Sequence, residues 1–278
     1  MLSITGLTIA CAAIYYSTYG CLADTQVVGG TDAPDGMYPY QVSLKDATNG
    51  RHFCGGAIVS KKYIITAAHC LEGRRYPSDI QIGVGNNHLQ SQIIYTANAL
   101  IIHDNYNKAK HLNDIGLIKL SKDITFNKTI TSTALISDNK NFEGVRLQVS
   151  GWGRLWAGGP IPARLQHVTV TGDSQKRCAA MYARPLHNIT ITDGHICTLE
   201  SIGKGVCNGD SGGALTYEDK LVGIVSFGVP CAEGEPDVFT KVYYYKDWVN
   251  KYINAGCNQQ LNILLGLFTT YLCIHSFL

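Results

Sequence analysis

The chain has 278 residues, of which 16% are charged, and its formal net charge is +2 at pH 7. This length suits one large or two small domains. The weak net charge implies no attraction to nucleic acid or to a membrane surface, so neither is expected as an electrostatic partner. Ten cysteines in a chain with an apolar start indicate an oxidising compartment.

The N-terminal segment is typical of a secretory signal. Residues 2–16 are largely apolar and small residues follow up to Gly20, although no Lys or Arg precedes the apolar run. We therefore predict a signal peptide at 1–20, a short propeptide at 21–26 and a secreted, extracellular protein. A membrane anchor is the alternative, which the shortness of the run disfavours.

Short apolar runs separated by Gly, Asn, Asp and Pro make up most of the chain, with little helical periodicity. Such runs predict β-strands. The first set lies at 40–44, 57–59, 63–66, 80–84 and 115–120, and the second at 146–151, 164–171, 195–198, 214–217, 221–227 and 237–242. The sequence therefore predicts an all-β fold.

One helix is predicted near the C-terminus, where apolar residues at helical spacing form a single stripe. They are Val242, Tyr245, Trp248, Val249, Tyr252 and Ile253. An apolar extension follows at 254–278, and its residues 261–278 are nearly uncharged. Three fates stay open for 261–278: membrane attachment, a lipid-anchor signal, or an extension that is trimmed or packs loosely.

The stretch 207–213, Cys-Asn-Gly-Asp-Ser-Gly-Gly, has the composition of a cramped loop that holds a nucleophile. Gly209, Gly212 and Gly213 allow a tight turn and a close approach of backbone N–H groups to a ligand. Such N–H groups can stabilise an oxyanion beside Ser211. Taken alone, the stretch also fits a plain Gly/Ser turn.

A serine hydroxyl needs a base to take its proton, and the base works best when a third group fixes its tautomer. His69 ends the β-branched run 64–69 and is the candidate base, while Asp114 opens the apolar run 115–120 and is the candidate orienting group. Considered singly, His69 also fits a structural histidine and Asp114 a strand-entry or turn residue.

In the chain order His69, Asp114, Ser211, these residues resemble the catalytic residues of the chymotrypsin/trypsin family of serine proteases. Further landmarks occur in the order and spacing of that family, namely Val27-Val28-Gly29-Gly30, Gly151-Trp152-Gly153 and Ser226-Phe227-Gly228. The resemblance spans residues 27–253 and is greatest to insect chymotrypsin-like proteases. It implies two six-stranded antiparallel β-barrels, at about 27–140 and 141–253, with a C-terminal helix.

The resemblance also implies a mechanism for the cleft between the barrels. Ser211 attacks the scissile carbonyl, His69 transfers the proton and Asp114 orients His69. The backbone N–H groups of Gly209 and Ser211 are expected to form the oxyanion hole. The alternative function is a catalytically silent, protease-like binding protein, which the presence of all three residues disfavours.

Cleavage of the Gln26–Val27 bond is implied as the activating step. The freed amine of Val27 is expected to pair with Asp210, because an unpaired buried carboxylate is costly. The family usually has Arg or Lys before this bond. Because Gln26 stands there instead, activation by another kind of protease, or by autolysis, is expected.

The residues implied for substrate binding are Gly205, Ser226, Phe227, Gly228 and Asp237. Gly205 at the pocket base argues against an ordinary trypsin, and Gly228 leaves room for a large ring. These positions favour cleavage after Tyr, Phe and Leu. Asp237 replaces a usual glycine, so broad or trypsin-like specificity through its carboxylate stays open.

The resemblance implies three disulfides, Cys54–Cys70, Cys178–Cys197 and Cys207–Cys231, and leaves Cys257 and Cys273 without family partners. No cofactor or metal is predicted, since the loop 85–92 contains no carboxylate. Protein and peptide substrates and protease inhibitors are the expected partners of a monomer that serves digestion. The sequons at Asn127 and Asn188 are either glycosylated or unmodified surface turns.

Overall fold

The computed structural model describes residues 28–254. The predicted signal peptide, the propeptide, Val27 and residues 255–278 of the extension lie outside the described residues. Within 28–254, no helix is both long enough and apolar enough to cross a membrane.

The described chain consists mainly of short strands. The strands are β1 (Thr31–Asp32), β2 (Gln41–Asp46), β3 (His52–Ile58), β4 (Tyr63–Thr66), β5 (Ile80–Val84), β6 (Ile93–Ile102), β7 (Gly116–Leu120), β8 (Ala134–Leu135), β9 (Arg146–Gly151), β10 (Gln166–Thr171), β11 (His195–Thr198), β12 (Ala214–Tyr217), β13 (Lys220–Phe227) and β14 (Asp237–Lys241). The α-helices are α1 (Ala68–Leu71), α2 (Gln175–Tyr182) and α3 (Lys246–Ile253), and 3₁₀ turns occur at Pro77–Asp79, Leu89–Ser91, Lys108–Lys110 and Val242–Tyr245.

The first six-stranded unit is a closed barrel with the strand order β2-β3-β4-β7-β6-β5. Each neighbouring pair is antiparallel. Branched aliphatic side chains fill its interior, and Val42, Leu44, Ile64, Ile82 and Leu117 have no exposed surface. Burial of these side chains is the main force that closes the barrel.

The second unit is a sheet with the order β1-β10-β9-β12-β13-β14-β11, to which β8 adds in parallel beside β13. Strand β11 returns to the end of β10 only through the bridge between Gly172 and Thr198. Because β11 has only four residues, this seam is short and the barrel stays open along most of it. The all-β fold with a C-terminal helix is confirmed: the first unit is a closed six-stranded barrel, and the second is an eight-stranded sheet that is less closed.

The C-terminal helix begins later than the apolar stripe. Val242 and Tyr245 lie in the 3₁₀ turn, and the rest of the stripe lies on α3. Val242, Tyr245 and Val249 are buried, while Trp248 and Tyr252 pack against the core from its edge. The stripe therefore packs against the core, as its spacing indicates.

Three disulfides link the six cysteines of the described chain in the implied pairs, Cys54–Cys70, Cys178–Cys197 and Cys207–Cys231. The first joins β3 to α1 and so fixes the turn that carries His69. The third joins the loop before Ser211 to the loop after β13.

Removal of the Cys54–Cys70 disulfide is expected to lower the free energy of unfolding by about 3 kcal/mol. The bond closes a loop with a sequence separation of 16 residues, and the loss follows from the greater freedom of the unfolded chain. The measurement is urea unfolding of a Cys54→Ala, Cys70→Ala double variant, made in a Ser211→Ala background to prevent self-digestion. An unchanged midpoint would contradict this account.

Candidate active site

His69 and Asp114 are in direct contact. Thr66 at the end of β4 is paired with Gly116 at the start of β7, so the two segments that carry these residues are neighbours. Nδ1 of His69 lies 2.8 Å from Oδ2 of Asp114, and the backbone N–H of His69 donates to Oδ1 at 2.9 Å. The two contacts fix the imidazole ring and its position on α1.

The second sheet holds Asp114 from the opposite side. A bulge between Val225 and Phe227 takes Ser226 out of the β13–β14 ladder. The Ser226 hydroxyl donates to Oδ2 of Asp114 at 2.6 Å, and the Thr240 hydroxyl donates to the Asp114 carbonyl at 2.7 Å. The site therefore depends on both sheets being in place.

These contacts also set the charge of Asp114. Burial raises the pKa of Asp114, but the contacts with His69 and Ser226 lower it by more. The pKa of Asp114 therefore lies below its ordinary value. Asp114 is therefore a carboxylate at neutral pH and accepts a hydrogen bond from Nδ1–H of His69. This leaves Nε2 of the neutral ring free to accept a proton.

The loop of Ser211 packs against the segment that leads into α1. The Gly55 N–H donates to the Ser211 carbonyl at 2.8 Å. Gly212 lies so close to Thr66 that an added Cβ would be 2.1 Å from the threonine hydroxyl. The absence of a side chain at Gly212 is thus what lets this loop approach the turn that carries His69.

The structure does not join Ser211 to His69 by a hydrogen bond. Within residues 28–254, Nε2 of His69 instead contacts Sγ of Cys70, at 3.7 Å. In enzymes without a bound substrate, catalytic hydrogen bonds are often long and tighten in the complex. The predicted contact between Ser211 and His69 therefore stays a prediction.

Two unpaired backbone donors flank the Ser211 side chain. Within the described chain, the N–H groups of Gly209 and Ser211 have no hydrogen-bond partner, whereas the N–H of Gly212 donates to Val225 at 2.8 Å. Gly209 has a φ of 104°, a conformation that glycine adopts without strain. An oxyanion formed at Ser211 could accept from both free N–H groups.

His52 contacts the carbonyl of Gly209, and the sequence analysis missed it. Its Nε2 lies 2.9 Å from the Gly209 carbonyl and its Nδ1 lies 2.7 Å from the Ser43 hydroxyl. Burial lowers the pKa of His52 to about 4, so the ring is neutral, with the proton on Nε2. The available signal was a histidine placed at the start of a barrel strand, two residues before Cys54.

Asp210 is fully buried and accepts two backbone hydrogen bonds, from Gly153 at 2.8 Å and from Cys207 at 3.0 Å. Burial raises the pKa of Asp210 to about 6. Val28 is buried nearby, and its carbonyl accepts from the Gly205 N–H at 3.1 Å. The predicted partner of Asp210, the amine of Val27, lies outside the described residues.

The carboxylate of Asp237 lies between the two glycines predicted to line the pocket. An added Cβ would be 2.4 Å from Oδ2 at Gly205 and 3.1 Å from Oδ1 at Gly228. Oδ2 accepts from the Val206 N–H at 3.0 Å, and Oδ1 has no partner within residues 28–254. Burial, with a smaller contribution from the charge of Asp210, raises the pKa of Asp237 to about 7.

Comparison with known proteins agrees with this geometry. The family model described as Trypsin matches residues 27–249. The chain belongs to the trypsin family of serine proteases. Chymotrypsin-2 of Vespa crabro is 43% identical over 81% of this chain and 99% of its own length. Trypsin-1 of Astacus astacus is 39% identical over 80% of this chain and 98% of its own length. A vitellin-degrading protease of Bombyx mori is 37% identical over 89% of this chain and 92% of its own length.

Membership in the trypsin family makes the chain a hydrolase that acts on peptide or protein substrates. The relatives include both a chymotrypsin and a trypsin, so the family alone leaves the specificity open. Phe227 is the remaining predicted pocket residue of this trypsin-family chain. It is half-buried, and its ring centroid lies 4.5 Å from that of His111.

One cluster of donor atoms in the described chain has the spacing of a metal site. It consists of Cys54, His69 and Cys70. The sulfur atoms of Cys54 and Cys70 are bonded to each other in a disulfide, so neither can act as a thiolate ligand. This cluster is therefore unsuited to hold a metal ion.

Proposed function

We propose that the chain is a serine endopeptidase that works through an acyl-enzyme on Ser211. The observation that carries the proposal is the buried, ionised Asp114 bonded to His69, together with two unpaired N–H groups in the loop of Ser211. A base with a fixed tautomer and a preformed oxyanion site are the two requirements for serine acylation.

The steps of the proposed reaction follow from these contacts. Nε2 of His69 takes the Ser211 proton as Oγ attacks the scissile carbonyl, and Asp114 stabilises the imidazolium that forms. The N–H groups of Gly209 and Ser211 bind the oxyanion. The imidazolium then protonates the leaving amine, and water repeats the sequence to release the acid.

Cleavage before Val27 is proposed as the activating step. Asp210 is a fully buried carboxylate that accepts hydrogen bonds from neutral N–H groups within residues 28–254. A cation beside it would offset the cost of burying an unpaired charge. The buried position of Val28 against the Gly205 N–H supports an inward course for the chain at this point. The amine of Val27 is the proposed cation.

The proposed specificity is for Tyr, Phe and Leu before the scissile bond. Gly205 and Gly228 add no side chains of their own to the pocket. The carboxyl of Asp237, which lies against both glycines, is buried and half-neutralised near pH 7. The runner-up is broad or trypsin-like specificity through the same carboxyl. The unpaired Oδ1 supports it, since a guanidinium or ammonium would find an acceptor there.

The test is a panel of peptides that differ only in the residue before the scissile bond: Phe, Leu, Arg and Ala. The enzyme is prepared with Val27 as its free N-terminus, and a Ser211→Ala variant corrects for contaminating peptidases. The proposal is supported if the Phe and Leu peptides have the highest kcat/KM values of the panel. Dominant turnover of the Arg peptide at neutral pH would replace it with the runner-up.

The preference for Arg over Phe is expected to rise with pH through about 7. Below that pH the Asp237 carboxyl is neutral and favours an apolar side chain, and above it the carboxylate attracts a cation. The ratio of the two kcat/KM values should rise by up to about tenfold per pH unit and then level off.

An Asp237→Asn variant is the matched control, because it keeps the shape of the side chain but cannot ionise. Its ratio is expected to stay flat with pH. A flat ratio in the wild-type enzyme, or the same slope in both proteins, would show that Asp237 does not govern this pocket.

Secretion, a monomeric state and binding of protease inhibitors are further proposals. Three disulfides in a small two-barrel protein support an oxidising, extracellular destination. Inhibitors that mimic a substrate strand would use the same cleft as peptides.

A further inference from the structure

The turn at residues 127–129, Asn-Lys-Thr, is a surface segment with an N-glycosylation sequon. It connects the region after β7 to β8, and Asn127 and Thr129 are both exposed. The turn is anchored by Ile130, a buried residue whose side chain packs against Gly85. None of these residues belongs to the candidate active site.

Asn127 is held in a compact local turn. Its side-chain Oδ1 accepts from the Thr129 N–H at 2.8 Å and from the Thr129 hydroxyl at 3.1 Å. Its backbone N–H donates to the Ile130 carbonyl at 2.8 Å. These contacts join residues at most three positions apart, so the turn is held together locally, and Ile130 fixes it to the first barrel.

The same contacts leave the amide nitrogen of Asn127 free. Both side-chain bonds end on Oδ1, and Nδ2 has no hydrogen-bond partner within residues 28–254. The threonine hydroxyl at 3.1 Å from Oδ1 polarises the amide and fixes its plane. An exposed Asn with this relation to a Thr two residues later has the chemistry of an N-glycan acceptor.

The second sequon differs in geometry. Asn188 is exposed but has a φ of 51°, and its N–H donates to the Arg184 carbonyl at 2.8 Å. No hydrogen bond joins its side chain to Thr190 in the part of the chain that is described. The local Asn–Thr contact is thus specific to Asn127 and distinguishes the two sites.

We propose that Asn127 carries an N-linked oligosaccharide. In the transfer, Nδ2 of Asn127 forms a bond to the anomeric carbon of a polyprenyl-diphosphate-linked sugar, the polyprenyl diphosphate leaves, and Nδ2 loses one proton. The proposal requires entry into the secretory pathway, which is itself proposed above, and does not depend on peptidase activity.

The test is expression of the full chain in eukaryotic cells as the Ser211→Ala variant, followed by peptide mass spectrometry before and after peptide-N-glycosidase treatment. The expected result is a glycan on the peptide that contains Asn127, with conversion to Asp upon release. Asn127→Gln and Thr129→Ala should abolish it, whereas Thr129→Ser, which keeps a hydroxyl, should retain it. Asn188→Gln should leave the Asn127 glycan in place.

An unmodified Asn127 would overturn the proposal. The redox state of Cys54 and Cys70 in the same sample identifies the reason. Unmodified Asn127 with these cysteines oxidised would reject the acceptor role alone. Unmodified Asn127 with both cysteines reduced would also reject the proposed secretory route, while leaving the peptidase proposal to its own kinetic test.

Discussion

Replacement of Ser211 by alanine is expected to lower kcat/KM by about 10⁴-fold or more, as is typical of nucleophile loss in Ser-His-Asp sites. The variant keeps the two free N–H groups and the His69–Asp114 pair, so residual activity over water should remain. The measurement is steady-state hydrolysis of a Phe peptide by the form that starts at Val27.

The matched control for this variant is Ser201→Ala, at an exposed serine in the loop before Gly205. It should leave kcat/KM unchanged. Equal thermal unfolding of both variants and the wild type would show that the fold is intact. A Ser211→Ala enzyme within tenfold of the wild type would remove Ser211 from the mechanism.

Replacement of Asp114 by asparagine is expected to lower kcat by about 10⁴-fold at neutral pH. Asp114 now accepts from both the backbone N–H and Nδ1 of His69, at 2.9 and 2.8 Å. An asparagine amide would donate to Nδ1 instead, which puts the ring proton on Nε2. His69 could then no longer take a proton from Ser211.

The control for Asp114→Asn is Ser226→Ala, which removes one donor to Oδ2 but keeps the carboxylate. Its expected effect is much smaller, because the tautomer of His69 is unchanged. Equal losses in the two variants would mean that Asp114 acts through packing and not through the tautomer of His69.

The sequence predicted five of the six strands of the first barrel and missed one. Strand β6, Ile93–Ile102, was missed because its residues do not alternate cleanly: Ile93 is more than half exposed, while Tyr95 and Ala97 are buried. The helix α2 was missed for a related reason, since only Cys178 and Tyr182 on it are buried. Neither element supplies a candidate catalytic residue.

The candidate catalytic residues could be predicted from the sequence, but the contacts that support them could not. His69, Asp114 and Ser211 occur in motifs that fix their neighbours in sequence. His52 became visible only when the fold brought it to the Gly209 carbonyl, across a separation of 157 residues. The same limit applies to Asp237, whose unpaired Oδ1 results from burial between loops distant in sequence.

The pairing of Val27 with Asp210 and the fate of residues 261–278 depend on segments outside residues 28–254. The proton transfer from Ser211 to His69 also remains a prediction, since the hydroxyl and Nε2 are not hydrogen-bonded in this state.

Covalent labelling tests the central claim most directly. The form that starts at Val27 is treated with a fluorophosphonate, and the adduct is located by peptide mass spectrometry. We predict one adduct, on Ser211, which disappears in Ser211→Ala and forms far more slowly in Asp114→Asn. A folded protein that forms no adduct would contradict the endopeptidase account and favour a silent, protease-like binding protein.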